Sequence, residues 1–165
     1  MKDLLFNLIG KHKYDISIYT EEIFERRCQE EIIRSDEDHS SFVYIEFDFE
    51  NVKKQLENEE SNNTFWEMFL ASLHKSNRGS DIIGFLEHES GIGMLLLDSK
   101  IEGWNRVKGR IEQMSSSQGF ELAKKVLEGA VRPIVYPACI QDPAAPADNA
   151  MGNAANTAAN TAAAL

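Results

Sequence analysis

The chain has 165 residues, 42% of them hydrophobic, and sets 17 lysines and arginines against 27 aspartates and glutamates, for a formal net charge of −10. That length and apolar content suit one domain with a sizeable core and exclude a disordered chain. The acidic balance disfavours sequence-independent binding to nucleic acid or an anionic membrane, since both need clustered Lys and Arg.

The first segment, MKDLLFNLIGKHKYD, is too short and too interrupted in its apolar run for a signal peptide or a membrane span. It reads as a short amphipathic helix packing on the domain. Thr20 to Arg34 reads as a second helix, with Phe24, Cys28 and Ile32 at i, i+4 and i+8 and Glu21 and Glu22 in a negative first turn. The stretch from Ser35 to Ser40 is a polar turn. Ser41 to Phe47 is a strand rich in aromatic and β-branched residues. The acidic stretch from Asn51 to Asn63 reads as a short helix plus loop. Thr64, with Glu67 three residues on, has the pattern of a capping box, and Phe65, Met68, Phe69, Ser72 and Leu73 follow on one helical face.

The stretch from Arg78 to Asp98, RGSDIIGFLEHESGIGMLLLD, is the most informative. It reads as two apolar strands, Asp81–Leu86 and Ile92–Leu97, joined by the polar turn Glu87-His88-Glu89-Ser90-Gly91. The second strand is apolar on both faces and belongs in the middle of a sheet. Ser99 is placed to cap the next helix, with Trp104, Val107, Ile111 and Met114 on its core side and Glu102, Arg106 and Arg110 on its wet side. Ser115 to Gly119 is a breaker, and Phe120 to Gly129 a further helix. Ile134-Val135-Tyr136, between Pro133 and Pro137, suits an edge strand. Beyond about Asp142 the composition turns to Ala, Asn and Thr, which cannot bury a core and reads as a disordered tail.

Cys28 and Cys139 lie far apart without metal-ligand spacing. A reduced, cytoplasmic chain with both as small core residues is the expectation. His39, His74 and His88 are not spaced as ligands and read as surface residues. The element order after the leading helices, β-α-β-β-α-(α)-β, is the split βαβ of ferredoxin-like domains. The expected class is therefore α+β, an antiparallel sheet with helices packed on one face. The expected division is an N-terminal extension over 1–18, the domain over 19–140 and the tail over 141–165.

Four pieces of the chain resemble GGDEF domains, the bacterial diguanylate cyclase family, whose palm elaborates the same core. The helix with Phe24, Glu31, Arg34 and Ser35 is similar to the family's F-x-x-x-L-x-x-E-x-x-R-S helix, with Cys28 at its Leu position. Tyr44 to Phe49 resembles the first strand, Arg78 and Asp81 before the hairpin resemble the RxxD motif, and Glu102-Gly103-Trp104 resembles the start of the following helix. A closer likeness is to the truncated GGDEF-like domains associated with bacterial exopolysaccharide synthesis and sugar transferases. Arg78-Gly79-Ser80-Asp81 and Val135-Tyr136-Pro137 stand where those domains keep RSSD-like and V-Y-x-Y-P-like segments.

The resemblance implies a family fold without the family reaction. A diguanylate cyclase needs acidic metal ligands and a turn with two glycines, whose lack of Cβ lets backbone approach the phosphates. Here Glu87 and His88 hold the glycine positions, Glu89 and Ser90 the acidic pair, and Gly91 lengthens the turn. No catalytic residue and no cofactor is therefore expected. Glu46 takes the first-strand acid position, and Glu46, Asp48 and Glu89 are the trio that could still hold Mg²⁺ in a residual metal-dependent nucleotide enzyme. In the family RxxD binds cyclic di-GMP, which makes Arg78 and Asp81 the candidate ligand site of a receptor, with Arg106 or Arg110 as a second cation. The leading expectation is a catalytically inactive, regulatory GGDEF-like domain that binds a protein partner of the polysaccharide-synthesis machinery, or a second copy of itself.

Overall fold

The computed structural model describes residues 1–75, 81–114 and 117–138. Arg78, Cys139 and the Ala-rich tail lie outside them. Four strands form one sheet: β1 (Phe42–Asp48), β2 (Asp81–Phe85), β3 (Gly91–Leu96) and β4 (Val131–Tyr136). Their order is β2-β3-β1-β4, and every neighbouring pair is antiparallel. Six α-helices are described: α1 (Lys2–His12), α2 (Glu21–Asp38), α3 (Phe49–Gln55), α4 (Glu59–Lys75), α5 (Ile101–Gln113) and α6 (Ser117–Gly129). From β1 onward this is the α+β, ferredoxin-like βαββαβ arrangement that the sequence order predicts.

Alternation along the strands sorts the core into two layers. Val43, Ile45 and Phe47 of β1 and Ile92, Met94 and Leu96 of β3 face the main core, where Phe65, Trp66 and Phe69 of α4 and Trp104 of α5 cover them. Phe47 sits at the centre of an aromatic cluster, its ring 4.8 Å from that of Phe69 and 6.2 Å from that of Trp104. β3 is buried at every position and lies between β2 and β1, as its two apolar faces require. β4 is the edge strand that Pro133 suits, and Pro133 pairs with Ile45.

The helices do not all lie on one face. Phe24 of α2 packs in a second cluster with Phe42 and Leu95 on the opposite side of the sheet, and Cys28 and Ile32 pack against it. The same stripe that predicts the helix thus needs a second apolar face, and odd-numbered positions of β3 supply it. Gly84 and Gly93 are register partners on β2 and β3. A Cβ on Gly84 would lie 2.3 Å from Phe24 Cβ, and one on Gly93 2.2 Å from Phe24 Cε1. The pair makes the trough that admits the ring.

Just before α2, Tyr19 extends the sheet. Its N–H donates to the Ile83 carbonyl at 2.8 Å, and its carbonyl accepts from the Phe85 N–H at 3.0 Å. The outer edge of β2 is thereby covered. α1 packs against α4 with Leu5 and Leu8 buried, as an amphipathic leading helix should.

Several boundaries differ from the sequence reading. α2 continues to Asp38 and ends at His39, whose φ of 54° is left-handed, so most of the expected polar turn is helix. Ser35 is buried there and its hydroxyl donates to the Ser40 carbonyl. α4 starts at Glu59, which places Thr64 and Glu67 inside it and removes the capping box. The Asn58 side chain accepts instead, from the Ser61 N–H at 2.8 Å. Ser99 donates to the Leu97 carbonyl and does not cap α5. Ser117 to Gly119 are helical, whereas Ser115 and Ser116 lie outside the described residues.

Candidate functional site: the hairpin turn and its neighbours

The β2–β3 turn is the place to look for chemistry, because it carries Glu87, His88 and Glu89. Together with Leu86 and Ser90 these three form a tight turn closed by two i→i+3 hydrogen bonds. His88 and Glu89 have φ of 54° and 53°, the left-handed region that favours glycine. Two consecutive side-chain-bearing residues therefore adopt a conformation that two glycines would take without strain.

Protein groups hold the turn in place. The Glu89 N–H donates to the Leu86 carbonyl at 2.9 Å and the Ser90 N–H to the Glu87 carbonyl at 3.1 Å. The His88 N–H donates to Glu21 Oε2, on the first turn of α2, at 2.9 Å. The Glu89 carboxylate pairs with Lys2 Nζ of α1 at 2.5 Å. Gly91 does not lengthen the turn. It opens β3 opposite Asp48, and a Cβ there would lie 2.4 Å from the Phe47 carbonyl oxygen. Close strand approach explains that glycine.

The three carboxylates of the expected metal site each have separate work. Glu46 is exposed on β1 and accepts from the Tyr44 hydroxyl at 2.6 Å. Burial first, and the Glu46 charge second, push the Tyr44 hydroxyl well above its ordinary range. Asp48 caps α3 by accepting from the Asn51 N–H at 2.7 Å. Glu89 is in its ion pair with Lys2. Among the described residues no three His, Cys, Asp or Glu side chains are grouped to share a metal ion.

Of the RxxD pair, Asp81 is described and half-buried at the start of β2, opposite Leu96. It lines a shallow depression together with Ser99, Arg106 and Arg110. Arg106 is exposed and Arg110 half-buried, so the wet face expected for both holds only for the first. His39, His74 and His88 are exposed, as predicted.

A second ionic group stands at the far end of α2. Glu31 is 6% exposed and receives Arg34 Nε and Nη2. Arg34 Nη2 also reaches Asp98 Oδ1, after β3, at 3.1 Å. These bonds raise the Arg34 guanidinium further above its ordinary value, and Glu31 contributes most. Cys28 is half-buried on the same helix. Burial first, then the charges of Glu25 and Glu46, push its thiol up to about 12.

The sequence reading missed Lys2 and Glu21 as partners of the turn. Lys2 and Glu89 stand 87 positions apart, and no periodicity links such pairs. Glu31 and Arg34 had a local signal in their i, i+3 spacing, whereas Asp98 had none.

No known protein-family model matches the chain, and no curated protein matches it. Solved structures do. The GGDEF domain of TpbB, also called YfiN, from Pseudomonas aeruginosa is similar at 15% identity and a TM-score of 0.47, over 73% of each chain. A DGC protein from Thermotoga maritima is similar at 11% identity and a TM-score of 0.45, over 73% of this chain and 83% of that one. Diguanylate cyclase SiaD from Pseudomonas aeruginosa, in complex with its activator SiaC, is similar at 15% identity and a TM-score of 0.45, over 98% of this chain and 63% of that one. No helix among the described residues is long and apolar enough to cross a membrane.

Proposed function

We propose that this chain is a degenerate GGDEF-like domain that does not make cyclic di-GMP and acts by binding a protein partner. One observation carries the reading. A phosphate cradle presents free backbone N–H groups to its ligand. At this turn the N–H groups of His88, Glu89 and Ser90 are all taken by acceptors of the protein itself. The side chains of Glu87 and His88 add bulk, and Glu87 adds negative charge, where a triphosphate would have to approach. The exopolysaccharide setting follows from the resemblance of the RGSD and V-Y-P segments, and a partner from that machinery is part of this proposal.

A second reading is a cyclic di-GMP receptor using Arg78 and Asp81. Asp81 shares its depression with Arg106 and Arg110, which favours it. A carboxylate beside two guanidiniums has the donors and acceptor that a guanine edge and a phosphate require. Incubation of the full chain with GTP and Mg²⁺ or Mn²⁺ tests the main reading. It predicts no cyclic di-GMP, and turnover abolished by Glu46→Ala would refute it.

A further inference from the structure

We propose that α1 is a releasable clamp whose docking sets the conformation of the hairpin turn. Three contacts from its first two turns converge there. Lys2 Nζ pairs with Glu89. The same ammonium lies 5.4 Å from the centroid of the Phe85 ring, at the end of β2. Phe6 packs against that ring, centroid to centroid 6.0 Å. At its other end α1 is held by the His12 imidazole on Glu67 of α4, at 2.5 Å. Leu5 and Leu8 supply the apolar attachment between the two ends.

The turn needs such a hold. His88 and Glu89 are both left-handed without being glycine, a conformation that persists only where surroundings fix it. Glu21 fixes one of them through the His88 N–H, and Lys2 holds the other by its side chain. α1 is also built to leave as a unit. It has 11 residues, and isolated helices of that length are marginal in water, so undocking and unwinding coincide. Its charge pairs at both ends, Lys2 with Glu89 and Lys11 with Glu67, are partly open to solvent, which makes the clamp sensitive to salt. Release would free the Glu89 carboxylate and uncover Phe85 together, on the face that presents the turn. The clamp stands independently of whether a partner or a nucleotide meets that face.

Hydrogen exchange of the Glu89 and Ser90 amides in the full chain tests this. Both amides are bonded within the turn and report its closure. Lys2→Glu should speed their exchange by about two- to fivefold, the range expected for loss of one exposed ion pair. Combining it with Glu89→Lys, which reverses the pair, should restore slow exchange. Leu5→Asp, which undocks the whole helix, should exceed Lys2→Glu while the amides of β3 stay protected. Unchanged turn exchange in Lys2→Glu, or no rescue by the swap, would overturn the clamp, and that reading stands even if Leu5→Asp unfolds the chain.

Discussion

Phe24 of α2 lies so close over Gly93 of β3 that a Cβ at 93 would stand 2.2 Å from the ring's Cε1. Gly84, the register partner of Gly93, leaves the other half of the space. The seat of α2 on the sheet therefore depends on two missing methyl groups. Gly84→Ala and Gly93→Ala should each destabilise by about 1–3 kcal/mol or more, as overpacking does in a dense core. Gly109→Ala is the internal contrast. Its Cβ meets nothing within 4 Å, and the site is within α5, so it should stabilise by about 0.5–1 kcal/mol. Urea unfolding midpoints of the three variants check both signs.

The same glycines show what the sequence made legible. The aromatic and β-branched run of β1 and the doubly apolar run of β3 placed the sheet, its central strand and its Pro-marked edge, because such residues suit a pleated surface buried on one or both faces. The stripe of Phe24, Cys28 and Ile32 announced α2 equally well. It did not say which face α2 would cover, since Gly84 and Gly93 carry no hydrophobic signal although they form its seat. Thr64 misled for a related reason. A capping pattern is local, whereas α4 starts at Glu59, with Asn58 accepting from the Ser61 N–H and the buried Asn62 side chain accepting from Trp66 Nε1. At the site, the acids were legible as residues and their partners were not. Lys2, Glu21 and Asp98 meet Glu89, His88 and Arg34 only through the fold.

The Glu31–Arg34–Asp98 group predicts an asymmetry. Arg34→Ala strands the carboxylate of Glu31, which is 6% exposed, and should cost about 3 kcal/mol. Glu31→Gln keeps the shape and an acceptor and should cost about 1 kcal/mol. Asp98, at 69% side-chain exposure, should contribute little, about 0.2–1 kcal/mol in a double-mutant cycle with Arg34. Thermal or urea unfolding measures all three.

Alkaline stability should carry the mark of Cys28 and Tyr44. The fold raises the Cys28 thiol from 9.0 to about 12 and raises the Tyr44 hydroxyl from 10.0. A raised value means that the folded state favours the neutral form. The stabilisation is thus complete below about pH 9 and is lost as pH climbs through the folded values. Stability should fall from about pH 9 upward toward about pH 12, and Cys28→Ala or Tyr44→Phe should flatten that slope while lowering stability at neutral pH. Denaturation midpoints across that range are the measurement. A slope unchanged in both variants would assign the alkaline loss to other groups.

Direct titration of nucleotide into the protein bears most directly on the account. Calorimetry of the full chain with GTP plus Mg²⁺ should give no binding heat, as a turn whose His88, Glu89 and Ser90 N–H groups are already bonded requires. A parallel titration with cyclic di-GMP, which tests the Asp81 depression instead, should also give none on the main reading. Micromolar GTP binding that depends on Mg²⁺ and is lost in Glu46→Ala would contradict the inactive reading. Micromolar cyclic di-GMP binding lost in Arg78→Ala would make the chain a receptor for that messenger instead.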